Sequence, residues 1–148
     1  MSLNTKNIFI SHSWSYSDAY YRLCKLLEER PYFEYKNYSV PKDDPIHHAG
    51  SEEELESAIE TQMSKTSVVL ILAGVYAQYS KWIQKEIKLA RKLGKRIIAI
   101  EPWGAERTSQ LVKDNADQIV KWQADSIVRA IFKGTSSRNL SYSVFIFN

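Results

Sequence analysis

The sequence predicts an α/β fold: a single doubly wound, five-stranded parallel sheet with strand order 2-1-3-4-5. Short apolar runs alternate along the chain with segments of helical periodicity, which predicts successive strand–helix units. The clearest run, Ser67–Leu72, is apolar on both faces, as is typical of parallel strands covered by helices on both sides. Right-handed crossovers leave few topologies for such units, and we expect the doubly wound one.

The first half of the chain is predicted to hold two strands and two helices. Asn7–Ser11 is an apolar strand run, and Ser17–Glu29 follows it with apolar residues at helical spacing until Pro31 ends the helix. Tyr35–Val40 is a weaker strand. Ser51 begins a capping box, a serine with glutamate three residues later, which predicts the start of the second helix.

The second half is predicted to hold three strands and three helices. Gly94 and Gly134 are expected to end two of these helices, because glycine adopts the left-handed conformation found there. The elements are, in order, Ser67–Leu72, Ser80–Leu93, Arg96–Ile100, Thr108–Ala116, Ile119–Trp122 and Ser126–Phe132. We therefore expect one domain over residues 1–134. Residues 135–148 form a tail that is an edge strand, a docking segment or a disordered end.

Composition excludes several classes of protein. Of 148 residues, 44% are hydrophobic and 25% charged, which is ordinary for a globular domain. The net charge of +3 is spread along the chain with no basic arm, so we expect no nucleic-acid partner. Cys24 is the single cysteine, so no internal disulfide is possible and a reducing compartment is expected. No leader or bilayer-spanning run occurs, so we predict a cytoplasmic protein without a membrane partner.

Glu86 is the residue that the helical pattern singles out. On a helical wheel Ile83, Ile87 and Ala90 form an apolar stripe, and Glu86 falls beside it, one turn after Trp82. Desolvation beside an aromatic ring favours the protonated acid, so an upward-shifted pKa is predicted for Glu86. The alternative is a boundary glutamate whose head reaches water or pairs with a lysine.

The loop after the first strand is the second candidate feature. Ligands of open parallel sheets bind outside the carboxyl ends of the strands, at the topological switch point. There the segment Ser11–Ser17 presents four serine hydroxyls, the imidazole of His12 and the indole of Trp14. The aromatic side chains favour a site that stacks a planar ligand. A serine-rich helix N-cap explains the same residues without a ligand.

Other common sites are not supported by the sequence. There is neither a G-x-G-x-x-G motif nor a Walker loop. The segment Ala73-Gly74 lacks the aspartate that a phospho-accepting receiver would need. His47 and His48 share a loop with Asp43, but adjacent histidines do not easily face one ion, so we predict no metal.

Taken together, the order and spacing of these motifs resemble a TIR domain. The chain looks most like the TIR-like family of the Thoeris bacterial antiphage system, which has a flavodoxin-like fold. The resemblance covers residues 6 to about 133 and is carried by Ile8–Ser13, Asp18, Asn37–Pro41, Val68–Leu72, Ser80–Glu86 and Gly94–Ile100.

The resemblance implies a role for Glu86. Enzymatic TIR domains cleave the nicotinamide–ribose bond of NAD with a glutamate in a Trp-x-x-x-Glu setting, which Trp82 and Glu86 match. The family often has cysteine after the tryptophan, where this chain has Ile83. NAD is then a substrate, and no cofactor is expected. Besides catalytic Glu86, the predicted nucleotide-binding residues are Ser11, His12, Ser13, Trp14, Asp43 and Trp82.

The resemblance also implies a signalling role. We expect an NAD-consuming enzyme that makes a nucleotide signal, which activates an effector protein in antiphage defence. We also expect a homo-oligomer formed through TIR-type contacts, with Pro41–Gly50 as the loop involved. One alternative is a non-catalytic module that acts by assembly. Another is a flavodoxin-like binder with Ser11, Ser13 and Ser15 around a phosphate, although the first loop lacks glycine.

Overall fold

The computed structural model describes residues 5–11, 17–40, 52–74, 81–101 and 108–135. In these ranges five strands alternate with five helices. The strands are β1 (Lys6–Ser11), β2 (Tyr35–Asn37), β3 (Val68–Leu72), β4 (Arg96–Ile100) and β5 (Gln118–Val120). The helices are α1 (Ser17–Glu28), α2 (Glu52–Ser64), α3 (Lys81–Lys92), α4 (Gln110–Asn115) and α5 (Ala124–Thr135).

The strands form one parallel sheet of order β2-β1-β3-β4-β5, which confirms the predicted topology. The switch point lies between β1 and β3, where Ser11 pairs in register with Ile71. The carboxyl ends of these two strands therefore lie at the same edge of the sheet, where a ligand site of a doubly wound fold is expected.

Side chains alternate between two hydrophobic cores, one on each face of the sheet. The first core, beneath α2, α3 and α4, includes Phe9, Val69, Ile71, Ala73, Ile97, Ala99 and Val112. The second, beneath α1 and α5, includes Ile8, Ile10, Leu70, Ile98 and Ile100. Because Ser11 follows Phe9 by two residues on the same strand, its side chain lies on the α3 face.

Gly94 ends α3 as predicted. Its φ is 67°, in the left-handed region that glycine adopts without strain. The Lys95 N–H donates to the Ala90 carbonyl at 2.9 Å and the Gly94 N–H donates to the Arg91 carbonyl at 3.1 Å. This pair of bonds is a Schellman motif, which turns the chain directly from α3 into β4.

Two predicted boundaries are wrong by three residues. β2 ends at Asn37 instead of Val40, because the Ile10 N–H bonds to the Ser39 side-chain hydroxyl at 2.8 Å. Helix α5 continues through Gly134 to Thr135, since a glycine costs a helix only about 1 kcal/mol, which packing against the sheet exceeds. Within the described ranges, no helix combines the length and hydrophobicity needed to cross a bilayer.

Candidate functional site

The fold brings Ser11 and Glu86 into direct contact. The Ser11 hydroxyl donates to Oε1 of Glu86 at 2.9 Å, although the residues lie 75 positions apart in the chain. Both side chains are 0% exposed. The contact forms because β1 ends beneath the sheet-facing side of α3. The expectation that Ser11 and Glu86 share one end of the sheet is confirmed.

The burial of Glu86 follows from the way α3 packs. Ile83, Ile87 and Ala90 are all buried in the first core, which orients the helix and carries Glu86 inward with them. The interpretation of Glu86 as a boundary glutamate reaching water is therefore wrong. Its neighbour Lys85 pairs with another acid, lying 2.8 Å from Oε2 of Glu56 on α2.

Burial and the hydrogen bond from Ser11 act in opposite directions on the Glu86 carboxyl. Full burial of both carboxylate oxygens removes the water that stabilises the charged form. The hydrogen bond from Ser11 favours that charged form. The upward shift of the Glu86 pKa stays a prediction, and burial is its physical basis.

Glu86→Gln tests that prediction through the pH dependence of stability. A carboxyl with a raised native-state pKa stabilises the fold below its unfolded pKa of about 4.3 and loses that contribution as pH rises through the native value. Glutamine does not titrate. The free energy of unfolding of the wild type minus that of the variant should therefore fall as the pH rises from about 4 through the native pKa of Glu86. Urea unfolding across this range measures the difference, and a flat or rising difference would contradict the raised pKa.

Trp82 lies one turn before Glu86 on the same face of α3, as predicted. It is half-buried and packs against the first core. The Lys85 ammonium lies 5.6 Å from the centroid of its ring, within cation–π range. A hydrogen bond to Glu56 raises the pKa of Lys85, so the lysine remains charged there. A chain of contacts therefore runs from Glu56 on α2 through Lys85 to the indole ring of Trp82, one turn from Glu86.

A polar network at the end of β2 supports the end of β1. The Ser39 hydroxyl accepts the Ile10 N–H, one residue before Ser11. The Ser39 N–H donates to Oδ1 of Asn37 at 2.9 Å, and Nδ2 of Asn37 donates to the Tyr20 hydroxyl at 2.7 Å. This role of Ser39 was not predicted from the sequence. The signal in the sequence is a hydroxyl-bearing residue just after the end of a short edge strand, where it can replace a backbone hydrogen bond.

Cys24 adjoins this network as a half-buried thiol. Burial raises its pKa, and burial also raises the pKa of neighbouring Tyr35. The thiol therefore stays protonated at neutral pH, as is typical of a packed cysteine and not of a nucleophile.

Comparison with protein families identifies the chain. Residues 9–107, more than half of its length, match the family model described as Thoeris protein ThsB, TIR-like domain. The chain belongs to this TIR-like family. The predicted resemblance is confirmed, and the matched region contains Ser11, Trp82 and Glu86. Ile83 stands directly after Trp82, at the position where a cysteine was expected from the resemblance. It is 1% exposed and packs in the first core.

One solved structure supports the fold of the TIR-like domain. The SEFIR domain of IL-17 receptor B superposes with a TM-score of 0.56 at 11% identity, covering 90% of this chain and 99% of that one. At this identity the likeness shows the fold alone. The Clostridium botulinum CMP N-glycosidase BcmB is more distant, with a TM-score of 0.44, 17% identity and coverage of 85% and 98%. No curated protein matches the chain.

The remaining predicted site residues of the TIR-like domain lie outside the described ranges. They are His12, Ser13, Trp14 and Asp43. Their part in nucleotide binding stays a prediction, as does the loop position of His47 and His48. Among the residues that the structure describes, no group of three or more His, Cys, Asp or Glu side chains is placed to hold a metal ion.

Proposed function

We propose that this TIR-like domain cleaves the nicotinamide–ribose bond of NAD, with Glu86 as its catalytic residue and NAD as substrate. The observation that carries the proposal is the buried Ser11–Glu86 pair at the carboxyl edge of the sheet. An acid at 0% exposure is unfavourable for stability, and such acids concentrate at sites that use them chemically. This edge is also where doubly wound folds bind ligands.

The chemistry suits a single carboxylate. When the bond between the ribosyl carbon and the nicotinamide nitrogen breaks, its electron pair leaves with nicotinamide and neutralises the positively charged ring. Positive charge develops on the ribosyl carbon, as in glycoside cleavage. A carboxylate beside that carbon stabilises the charge and orients the ribose hydroxyls. Water or a hydroxyl of the substrate then completes the reaction by bonding to the same carbon, with loss of its proton.

Ser11 acts in this proposal as a positioning residue. Its hydroxyl holds Oε1 of Glu86 at 2.9 Å and so restricts the rotation of the carboxylate. Since Ser11 and Glu86 are both 0% exposed, neighbouring groups must move before substrate touches the acid. We therefore propose that the enzyme works as a homo-oligomer, whose assembly opens the site. The product would be a nucleotide signal that activates an effector in antiphage defence.

The direct test is to incubate the protein at high concentration with NAD and follow nicotinamide release by chromatography. Release that depends on Glu86 supports the proposal. If the protein is silent, it is crosslinked into oligomers and assayed again. Continued silence of the assembled protein would overturn the proposal.

Lys85→Met tests whether the contact chain from α2 supports nucleotide binding through Trp82. Methionine keeps the length of the side chain but removes the cation near the ring and its pairing with Glu56. We expect the KM for NAD to rise about two- to fivefold, while kcat changes little, because Trp82 loses its support and Glu86 does not. Lys88→Met, at an exposed lysine on the same helix, is the matched control. Equal KM values for the two variants would refute the role of Lys85.

The complete burial of Glu86 also favours a second candidate. In a non-catalytic assembly module, the Ser11–Glu86 bond would serve only to fasten α3 to the end of β1. Such a module would release no nicotinamide, and it would lose stability when the pair is replaced by apolar residues.

A further inference from the structure

Ser109 places a second buried hydroxyl at the carboxyl edge of the sheet, on the face that carries Glu86. Its side chain is 0% exposed. Its N–H donates to the carbonyl of Ala73, just beyond β3, at 2.8 Å. Ala73 belongs to the first core together with Ile71 and Val112, and this core packs beneath α3.

The register of the sheet gives the separation of this hydroxyl from the proposed catalytic pair. Ser11 pairs with Ile71, and Ala73 lies two residues further along the same face. With strands about 4.8 Å apart and a rise of about 3.3 Å per residue, the Cα atoms of Ser11 and Ala73 are about 8 Å apart. Ser109, bonded to Ala73, is therefore within the length of one nucleotide from Glu86.

The Ser109 hydroxyl has no role that the described residues explain. It is buried and has no hydrogen-bond partner among them. It occupies the N-cap of α4, where serine usually accepts an N–H of the first turn, yet it makes no such bond. Buried polar groups in folded proteins are nearly always paired, so this hydroxyl calls for a partner that the described residues do not supply.

We propose that Ser109 is a substrate-contacting residue whose hydroxyl donates a hydrogen bond to a diphosphate oxygen of NAD. The inference rests on the proposed function, which puts the ribosyl carbon at Glu86. The next part of the nucleotide along the sheet edge is then the diphosphate, a strong acceptor. The proposed contact is made by the Ser109 side chain. The N-terminus of α4 is not proposed as the phosphate site, because this helix has only six residues.

Ser109→Ala separates this role from a structural one, with Thr66→Val as the matched control. Thr66 is also buried, but its hydroxyl donates to the Met63 carbonyl at 2.7 Å. Removing a paired hydroxyl should lower the unfolding midpoint, whereas removing the Ser109 hydroxyl should leave it unchanged or raise it. A clear loss of stability in Ser109→Ala would overturn the inference, because the hydroxyl would then have a structural partner.

The functional arm measures nicotinamide release and ligand binding by calorimetry. Ser109→Ala should raise the KM for NAD about tenfold and weaken ADP-ribose binding to a similar extent, with kcat little changed. Nicotinamide riboside, which carries no phosphate, should be used equally by both proteins. If the wild type is active and Ser109→Ala has the same KM and kcat for NAD, only this inference is overturned. A wild type that neither releases nicotinamide nor binds NAD or ADP-ribose would overturn the proposed function, and this inference with it.

Discussion

Glu86→Gln is expected to lower the rate of nicotinamide release by about 10²-fold or more, the scale of losing one well-placed electrostatic group. Glutamine keeps the shape of the side chain and can still accept the Ser11 hydroxyl, but it carries no negative charge. Because positive charge on the ribosyl carbon develops only in the transition state, kcat should fall much more than KM rises. Initial rates at saturating NAD measure the effect.

Glu60→Gln is the matched control for this experiment. Glu60 lies on α2 and pairs with Lys92 at 3.0 Å, away from the Ser11–Glu86 contact. Its variant should retain the wild-type rate, which separates a local loss of charge from a general change in the charge of the domain. Thermal unfolding of both variants checks that they fold. If the wild type is active and Glu86→Gln releases nicotinamide at the same rate, the carboxylate mechanism is excluded.

The double variant Ser11→Ala/Glu86→Met is expected to gain about 1–3 kcal/mol in free energy of unfolding near pH 8, while losing activity. Methionine has a flexible apolar side chain of similar length and fills the space without a desolvated charge. Alanine removes the hydroxyl that would otherwise lose its acceptor. Urea unfolding at equilibrium measures the change.

The single variant Ser11→Ala is expected to change the free energy of unfolding in the opposite direction. It takes from the buried carboxylate a donor at 2.9 Å, so it should lose about 1–3 kcal/mol. If the double variant also loses more than about 1 kcal/mol, the pair has a structural role. That result would favour the assembly module over the enzyme.

Much of the fold and part of the site could be predicted because they depend on local patterns. The apolar runs at β1, β3 and β4, separated by helical segments, require a parallel sheet covered on both faces, and handedness then restricts the strand order. The helical period of α3 alone put Glu86 beside Ile83 and Ile87, one turn from Trp82. A repeating pattern of 3.6 residues needs no knowledge of the remainder of the chain.

Only the tertiary structure decided which side chains meet. The Ser11–Glu86 bond depends on the register of β1 against β3 and on the rotation of α3 over the sheet, and neither is encoded within a short window of sequence. The same holds for Ser39, which completes the hydrogen bonding of β1, and for Ser109, which is buried beside Ala73. A hydroxyl looks the same in sequence whether it faces water or the core. Its burial is set by elements distant in the chain, because they alone determine how much solvent remains around it.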